Sequence, residues 1–473
     1  MTYKITKGLD INIPGTAQRH IAELADAKYY AVKPSDYVGM VPRLLVAEGD
    51  SVKAGTPLLE DKQHPGIPYV SPVSGVVHAV VRGEKRALLA VVVKSDGKQE
   101  SVCFPTFDLD KCDTAADKTD LQSNLRKQMI DSGLWTLLRQ RPFGIVPPPD
   151  SKPKAVFVSA FDSSPLPVNY EFVLQDRVED FQMGITVLAS IVGKVHISIG
   201  KLENKKPPRS FTKNMKPPRE PFFTNIQNAE IHSFEGKHPA SLVGTQIAKI
   251  DPINKGEQVW TVNPQDVAII GHLFRTGEYR PERTVALCGP VVKDPHYMRL
   301  ISGVSLRSLG IESTTGNDIR FICGNVLSGT AESIDGFLSS SCDKVSVLPE
   351  GDYYDFLGWL RPNFKKFSFS RTFLSGFLSR FKGCTPKYDF DTGRHGSHRP
   401  LFVTGEFEKL TPLDIYPMQL IKACIIGDIE LMENLGIYEV EPEDLALCEF
   451  ADTSKTEIQA IIRNALETIR KDG

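Results

Sequence analysis

The chain has 473 residues, of which 41% are hydrophobic and 24% are charged, and its formal net charge is −2. This length predicts three or four domains, and the small net charge gives no overall attraction for nucleic acid, so we predict no nucleic-acid partner. Because no stretch approaches the roughly 20 apolar residues that cross a bilayer, and the first ten residues lack the apolar core of a signal peptide, we expect a protein that folds in the cytoplasm.

Residues 1–107 are predicted to form a barrel-sandwich domain that resembles biotinyl and lipoyl carriers. Between Tyr37 and Lys94, short alternating strands are broken by Gly-Asp and Pro-Gly turns, which is typical of a small β-barrel or sandwich. Carriers hold a modified lysine on a tight hairpin, whereas this chain has a longer loop with two prolines after Asp61. Lys62 is therefore interpreted as a surface lysine. The competing hypothesis, a carrier protein, predicts a mass shift on Lys62.

Residues 108–282 are predicted to form a Rossmann-like α/β domain with a mostly parallel sheet, because strands alternate with helices. The last helix is the best marked, with Asn263 as its N-cap, Pro264 at its first position and Gly277 beyond its end. The predicted elements are helices over Thr119–Asp131, Tyr170–Val192 and Pro264–Thr276, and strands over Ala155–Ala160 and Val195–Ile199.

A basic loop at residues 201–220 interrupts this α/β domain. It contains seven basic residues and the sequence Lys-Pro-Pro-Arg twice, and di-proline excludes both a helix and a central strand. We predict an exposed, extended loop. The sequence leaves open whether this loop is only solvated or binds an acidic neighbour or lipid head groups.

The last two regions are predicted to be a small β-grasp domain and a helical domain. Residues 283–351 combine apolar strands with one short helical turn, as in the soluble-ligand-binding β-grasp (SLBB) family. Residues 352–473 are largely helical in pattern, with clear segments over Pro442–Leu447 and Ser454–Arg470. The whole chain is thus expected to be a multidomain α/β plus β protein.

Sequence motifs that carry chemistry are absent. No two of the 36 glycines are separated by a single residue, so the G-x-G turn of a dinucleotide site is missing. There is no P-loop, no G-x-S-x-G elbow, no H-E-x-x-H motif, and no C-x-x-C pair among the eight cysteines. His395 and His398 lie between Arg394 and Arg399, a cationic setting that disfavours a metal. We therefore predict no catalytic residue and no metal ligand.

Ten short sequences, in order over nearly the whole chain, carry a family resemblance: Lys7–Gly15, Tyr37–Met40, Glu60–Gly66, Arg82–Arg86, Asp131–Phe143, His238–Thr245, Gly289–Val292, Phe356–Trp359, Pro412–Pro417 and Glu443–Cys448. Together they resemble the A subunits of the sodium-translocating NADH:quinone reductases. The resemblance implies one peripheral subunit of a six-subunit complex on the cytoplasmic face of the bacterial inner membrane. That complex couples NADH oxidation and the reduction of ubiquinone or menaquinone to Na⁺ export.

The segment Gly133–Phe143 corresponds to a loop that binds cofactors in more distant relatives. Rnf-type complexes and respiratory complex I use a Gly-Gly-x-Gly-Phe-Pro loop there, which lets flavin and nicotinamide lie against the backbone. Here the bulky side chains of Trp135, Leu138 and Arg139 are expected to fill that space. The resemblance thus implies that FMN, FAD and Fe–S centres lie on partner subunits and that the isolated chain is not catalytic.

Two stretches, Val32–Met40 and Leu138–Ile145, are candidates for contact with a quinone. A quinone needs apolar walls and one or two donors for its carbonyl oxygens. The alternative interpretation is that these aromatic side chains pack a domain interface and the arginines are ion-paired. The candidate residues are Tyr37, Met40 and Phe143 as walls, Leu138 beside them, and Arg139 and Arg141 as donors.

Residues 356–388 are predicted to dock onto the integral membrane B subunit on the quinone side, which is the expected chief partner among the other five subunits. This stretch has no acidic residue, seven basic residues and a phenylalanine stripe at helical spacing. Basic and aromatic amphipathic sequence suits a lipid interface or a groove on a membrane partner, and a core helix is the alternative. The docking candidates are Trp359, Arg361, Lys365, Lys366, Arg371, Phe373, Phe377 and Phe381.

A competing hypothesis of a different class is a stand-alone scaffold that binds a soluble ligand through its β-grasp and lipoyl-like domains. It predicts a monomer that does not co-purify with membranes, whereas a reductase subunit co-purifies with membrane and flavoprotein partners.

Overall fold

The computed structural model describes residues 1–23, 27–107, 115–201, 222–310, 318–353, 356–358, 366–367, 369, 373, 375, 387–388 and 390–472. Its strands are β1 (Thr2–Ile5), β2 (Ile21–Glu23), β3 (Tyr29–Val32), β4 (Pro42–Leu44), β5 (Ser51–Val52), β6 (Pro57–Asp61), β7 (Pro68–Val70), β8 (Gly75–Arg82), β9 (Leu88–Ser95), β10 (Arg139–Arg141), β11 (Val156–Ser159), β12 (Val195–Gly200), β13 (Glu230–Gly236), β14 (Val259–Thr261), β15 (Glu282–Cys288), β16 (His296–Ile301), β17 (Ile319–Cys323), β18 (Thr330–Glu332) and β19 (Lys344–Pro349). Its α-helices are α1 (Ala115–Asp131), α2 (Tyr170–Val173), α3 (Val178–Val192), α4 (Val243–Ile250), α5 (Pro264–Thr276), α6 (Phe407–Leu410), α7 (Pro417–Ile426), α8 (Ile429–Asn434), α9 (Ala446–Ala451) and α10 (Ile458–Asp472).

The α/β region is built on a six-stranded sheet in the order β1-β13-β12-β11-β14-β10. Its neighbouring strands are parallel, except that β10 is antiparallel to β14. Helices α3 and α5 cross closely because each has a glycine at the crossing. A Cβ atom on Gly184 would lie 2.0 Å from the backbone oxygen of Val267, and one on Gly271 would lie 1.7 Å from that of Asp180. The predicted mostly parallel α/β layer is confirmed.

The barrel-sandwich consists of two antiparallel sheets, β3-β9-β8-β5 and β4-β6-β7. Its inward-facing residues alternate with exposed ones, as along β8, and Leu58, Val73 and Val93 are fully buried between the sheets. Lys62 is exposed directly after β6.

A second six-stranded sheet, β18-β17-β19-β15-β16-β2, contains the strands of the expected β-grasp region. Strands β15 and β19 are parallel, whereas β17 is antiparallel to both of its neighbours. A short 3₁₀ turn at Leu306–Leu309 follows β16, as the sequence pattern indicates.

The first 23 residues depart from the expected domain boundary at residues 1–107. Strand β1 joins the α/β sheet beside β13, where Ile5 is buried with Phe234 and Ala240. Strand β2 pairs with β16 in the sheet of the β-grasp region. The N-terminal segment therefore ties together the two sheets that follow the barrel-sandwich.

The prediction of one helix over Tyr170–Val192 is wrong, because the chain turns between α2 and α3. The side-chain oxygen of Asn169 accepts a hydrogen bond from the backbone nitrogen of Phe172 and starts α2. The chain turns at residues 174–176, and α3 begins after Arg177, whose side chain donates to the carbonyl oxygen of Glu282 at 2.9 Å. The prediction for Pro264–Thr276 is confirmed, with Asn263 capping its start.

The C-terminal helices α6–α10 pack around an apolar core in which Leu420, Ile421, Ile462 and Leu466 are buried, and Ile11, Ile13, Leu166 and Cys288 from the rest of the chain contribute to it. Helix α10 begins at Ile458, later than the predicted Ser454, because the carboxylate of Asp452 accepts hydrogen bonds from the backbone of Ser454 and Thr456. Of the helices in the described part of the chain, none has the length and apolar character that a bilayer span requires.

Candidate functional site

The segment between α1 and β10 begins at a left-handed glycine and continues as a buried 3₁₀ turn. Gly133 ends α1 at a φ of 76°, a conformation that costs glycine little. The turn Leu134–Leu137 follows, and Leu134, Trp135 and Leu138 are at most 1% exposed. The local sequence therefore directs three large side chains into the interior.

Trp135 fixes this segment through several contacts. Its indole nitrogen donates to the carbonyl oxygen of Pro147 at 2.7 Å, and its ring meets the ring of Trp260 edge-on at 5.0 Å. The guanidinium of Arg126 lies 5.2 Å and 5.5 Å from the centres of the two indole rings. The indole N–H group of Trp135 therefore has a hydrogen-bond acceptor, and its ring is enclosed by protein.

The glycines that flank the segment face protein side chains. A Cβ atom on Gly133 would lie 2.7 Å from a methyl carbon of Val70, in the barrel-sandwich. One on Gly144 would lie 3.2 Å from the carboxylate of Glu441. Flavin and nicotinamide loops need glycine so that the ligand can approach the backbone, and here side chains already make that approach.

A small cavity lies where the barrel-sandwich, the α/β region and the β-grasp region meet. Its volume is about 40 Å³, and its polar lining includes Lys33, Asp36, Tyr37, Thr136 and Ser340. That volume holds only a few water molecules and is far below the several hundred Å³ of a typical ligand pocket. The space at the seam between the three regions is therefore small.

The polar groups of the seam are paired across the domains. Lys33 forms an ion pair with Glu332, and its amino group donates to the carbonyl oxygen of Phe337 at 2.8 Å. The carboxylate of Asp36 accepts from the backbone nitrogen of Ser340 at 3.0 Å, and the hydroxyl of Tyr37 donates to the hydroxyl of Ser340 at 3.2 Å. Burial raises the pKa of Asp36, although Lys33 acts to lower it. Burial also raises the pKa of Tyr37.

Three of the six quinone candidates lie close together, and one of them, Tyr37, lines the seam cavity. The guanidinium of Arg139 sits 5.3 Å from the centre of the Tyr37 ring, which also meets Tyr69 edge-on at 4.5 Å. Met40 follows Tyr37 and packs, partly buried, against the same core. Leu138 adjoins this group but is fully buried.

The other two candidates, Arg141 and Phe143, face the C-terminal helices. Arg141 is 2% exposed and donates to the carboxylate of Asp444 at 2.8 Å, with Glu441 at 3.5 Å. The carbonyl oxygen of Phe143 accepts from the Arg463 side chain at 2.7 Å. The structure thus divides the six candidates between two surfaces, and the ion pair of Arg141 agrees with the packing interpretation for that residue.

Domain descriptions of one family match most of the chain. The NqrA N-terminal barrel-sandwich hybrid domain matches residues 3–96, the NqrA second alpha/beta domain residues 121–279, and the NQRA C-terminal domain, of SLBB type, residues 284–333. The A subunit of the Na⁺-translocating NADH-quinone reductase of Actinobacillus succinogenes is 38% identical over 99% of both chains. The namesakes from Haemophilus influenzae (strain PittEE) and Histophilus somni (strain 2336) are 37% and 39% identical, also over 99% of both chains.

The chain belongs to this A-subunit family. Its barrel-sandwich, α/β and SLBB regions confirm three of the four predicted folds. Among solved structures, an NAD⁺-reducing nickel–iron hydrogenase in the H2-reduced state matches 78% of this chain and 63% of its own at 10% identity and a TM-score of 0.36. That likeness is too loose to carry an argument.

Most of the docking residues predicted for this NqrA-family chain lie outside the described residues: Trp359, Arg361, Lys365, Arg371, Phe377 and Phe381. Lys366 and Phe373 are described, and both are partly buried. Phe367, from the same acid-free stretch, packs against Phe450 of α9 at 5.5 Å between ring centres. At least one aromatic residue of this stretch therefore packs against the C-terminal helices. Of the basic loop, only Lys201 is described, and it pairs with Glu235 at 2.8 Å.

Sequence reasoning missed a set of exposed apolar side chains on the C-terminal helices of this NqrA-family chain. Ile425 and Ile426, at the end of α7, are 54% and 72% exposed, and Tyr416, just before α7, is 66% exposed. Leu431 of α8 is 40% exposed. The available signal was the pair Ile425-Ile426 directly before Gly427, because apolar side chains at a helix end are costly unless a partner covers them.

Proposed function

We propose that this chain is the peripheral, cofactor-free A subunit of a Na⁺-translocating NADH-quinone reductase, bound at the cytoplasmic face of the inner membrane near the B subunit on the quinone side. The match to named relatives of this kind over 99% of both chains supports the role in the complex. The filled segment around Trp135 is the single structural observation that supports the absence of flavin and nicotinamide.

The proposed role of the chain in the complex is structural: it supports the assembly and does not transfer electrons. Large buried side chains occupy the segment Gly133–Gly144, and Val70 and Glu441 close the approaches to its two glycines. FMN, FAD and Fe–S centres are then carried by the other five subunits. Electron entry from NADH is assigned to one of those subunits.

The test of this role is recovery of the full chain, with a small affinity tag, from gently solubilised native membranes. We expect five further subunits, several of them flavoproteins or integral membrane proteins, to co-purify with it. Recovery of the chain alone would contradict the proposal and would favour a stand-alone binding scaffold.

Docking onto the B subunit is proposed to use the acid-free stretch 356–388 together with the exposed apolar side chains Tyr416, Ile425 and Ile426. Both features lie in the C-terminal region, and Phe367 of that stretch packs on α9. Basic charge and exposed apolar surface together suit a membrane protein with anionic lipid around it.

A charge-reversal experiment tests this docking surface. The triple variant Lys365→Glu, Lys366→Glu and Arg371→Glu is expected to release the chain from membranes at moderate salt. The matched control reverses three exposed lysines of the barrel-sandwich, Lys28, Lys62 and Lys98, and is expected to stay bound. Equal retention of the two triple variants would reject the surface.

Contact with quinone is proposed at the seam, on the side of Tyr37, Met40 and Arg139. The cavity of about 40 Å³ is too small for a quinone ring, so the ring contacts the rim of the seam or the seam opens to receive it. A photoreactive quinone applied to the complex is expected to label the peptide containing Tyr37 and Met40. Label confined to the peptide of Arg141 and Phe143, or to other subunits, would contradict quinone contact on the side of Tyr37.

A further inference from the structure

Two histidines and a glutamate lie on one face of adjacent strands in the α/β sheet. His196 of β12 is in register with Glu230 of β13, and His232 is two residues further along β13. Paired residues on neighbouring strands share a face, as do residues two apart on one strand. The three side chains therefore converge near the amino ends of β12 and β13.

The facing ligand atoms form a compact triangle. The Nδ1 atom of His196 lies 2.9 Å from Nε2 of His232 and 3.5 Å from Oε2 of Glu230. The distance from Nε2 of His232 to the same carboxylate oxygen is 3.8 Å. A point about 2 Å from all three atoms exists within this triangle, and zinc binds imidazole nitrogen and carboxylate oxygen at roughly 2.0–2.2 Å. The triangle has the size that one ion of this kind requires, without rearrangement of the strands.

The two imidazoles are buried, while the carboxylate reaches solvent. The side chains of His196 and His232 are 1% and 10% exposed, and that of Glu230 is 60% exposed. Ring contacts to Phe157 and Tyr3 help to fix the two imidazoles. An ion can therefore enter past Glu230, and the solvent side leaves a coordination position for water.

The charges around the triangle are mixed in sign. The nearest other charges are Lys194 and the amino terminus, which are cationic, and Asp251. The carboxylate of Glu230 offsets part of the positive charge that an ion would bring.

The hydrogen bonding of the pair is incomplete. The two rings share one hydrogen bond, and Nε2 of His196 and Nδ1 of His232 have no hydrogen-bond partner among the described residues. A bound ion would replace the shared hydrogen bond with two nitrogen–metal bonds, to Nδ1 of His196 and Nε2 of His232. It would not supply a partner to the two unpartnered nitrogens, which leave room for further hydrogen bonds to water.

We propose that His196, Glu230 and His232 form a binding site for one divalent transition-metal ion, with zinc the best match. Two nitrogen ligands and one oxygen ligand with an open position favour zinc over magnesium or calcium, which prefer oxygen ligands. The ion would join the starts of β12 and β13, the strands that bracket the basic loop 201–220. This site is independent of the quinone seam and of docking.

The test uses the full chain with an affinity tag that contains no histidine, stripped with a chelator and titrated with zinc chloride in a calorimeter. We expect one zinc ion per chain. Glu230→Gln should weaken zinc binding at least tenfold, and His232→Gln should abolish it. His78→Gln is the control, because this histidine is exposed on the barrel-sandwich and should bind zinc as the unchanged chain does.

Glu230→Gln keeps the test informative if a histidine variant fails to fold, since the Glu230 side chain is mostly exposed. Cobalt provides a second readout, because its visible spectrum reports a nitrogen- and oxygen-ligated site and should disappear in His196→Gln. Absence of zinc binding to the stripped chain would overturn the proposal. Zinc binding of unchanged affinity in Glu230→Gln and His232→Gln would do the same by assigning the ion to other residues.

Discussion

The segment around Trp135 and the pair His196 and His232 differ in how their buried ring nitrogens are paired. At the β10 end, the indole nitrogen of Trp135 has its acceptor, and Arg139 donates to the carbonyl oxygen of Thr136 at 2.6 Å. Near the β13 end, the buried rings of His196 and His232 share one hydrogen bond and each keeps an unpartnered nitrogen. The indole nitrogen of Trp135 is thus satisfied within the chain, although Gln140 and Arg141 of β10 also carry buried atoms without a hydrogen-bond partner among the described residues. The histidine pair offers Nδ1 of His196 and Nε2 of His232, which face each other, as the ligand atoms that a metal ion can use.

The largest expected effect on stability comes from removing the ring of Trp135 from the filled segment. Trp135→Ala should lower the free energy of unfolding by about 3–5 kcal/mol, because it removes a fully buried ring and leaves a cavity. Urea denaturation of the full chain measures this value. The control Leu89→Ala, at a half-exposed side chain, should change it by less than about 1 kcal/mol. A loss below about 1 kcal/mol for Trp135→Ala would mean that the segment is not tightly packed.

Removing the buried guanidinium of Arg141, on β10, should lower the free energy of unfolding almost as much. Arg141→Met leaves the carboxylates of Asp444 and Glu441 buried without their counter-charge, which typically costs about 3 kcal/mol or more. Denaturation of the double variant Arg141→Met, Asp444→Leu should recover most of that loss. A double variant as unstable as the single one would show that the ion pair does not carry the effect. The exposed ion pair of Arg43 with Glu60 supplies a control, Arg43→Ala, expected to cost under about 1 kcal/mol.

His238 is a buried histidine beside a serine hydroxyl, and the pH dependence of the free energy of unfolding tests its contribution. His238 is 2% exposed, lies 3.2 Å from the hydroxyl of Ser163, and burial lowers its pKa to about 4. The unfolded chain binds a proton near pH 6.5 and the folded chain does not, so this contribution is complete above pH 6.5 and is lost as the pH falls toward 4. The loss is at most about 3 kcal/mol.

Unfolding free energies at pH 7 and pH 5 check this sign. The difference between the two values should be smaller in His238→Gln than in the unchanged chain, and unaffected in the exposed control His78→Gln. A His238→Gln variant with an unchanged pH dependence would contradict the assignment.

The smallest expected effects come from replacing glycines by alanine. Comparing Gly49 with Gly133 separates the cost of backbone strain from the cost of a steric clash. Gly49 and Gly133 both have positive φ, but a Cβ atom on Gly49 would meet nothing within 4 Å, whereas one on Gly133 would press on Val70. Gly49→Ala should cost about 1 kcal/mol from conformation alone, and Gly133→Ala about 2 kcal/mol. Equal costs in denaturation would mean that the contact between Gly133 and Val70 is not close.

Local signals in the sequence were sufficient for several elements of the fold. Helix α5 was predicted at both ends because Asn263, Pro264 and Gly277 act within a few residues of each other. The break after α2 was missed, and next to it lies a contact that no local pattern shows: Arg177 reaches the carbonyl oxygen of Glu282, more than 100 residues away. The pairing of strand β1 was not predicted for the same kind of reason, since its partner β13 begins at Glu230.

The candidate sites also combine local features that the sequence shows with long-range contacts that only the fold shows. The bulky side chains of Gly133–Phe143 can be seen in the sequence, but only the fold shows that Arg139 faces Tyr37 while Arg141 faces Asp444. His196 is separated from Glu230 and His232 by a long connection that contains the basic loop. Their spacing matches no metal motif, because the register of two parallel strands brings them together.

The most direct test of the central claim is native mass spectrometry of the full chain, purified without added cofactors. The filled segment around Trp135 predicts the mass of the polypeptide without FMN, FAD or nicotinamide dinucleotide. A stoichiometric adduct with the mass of any of these cofactors would contradict the account.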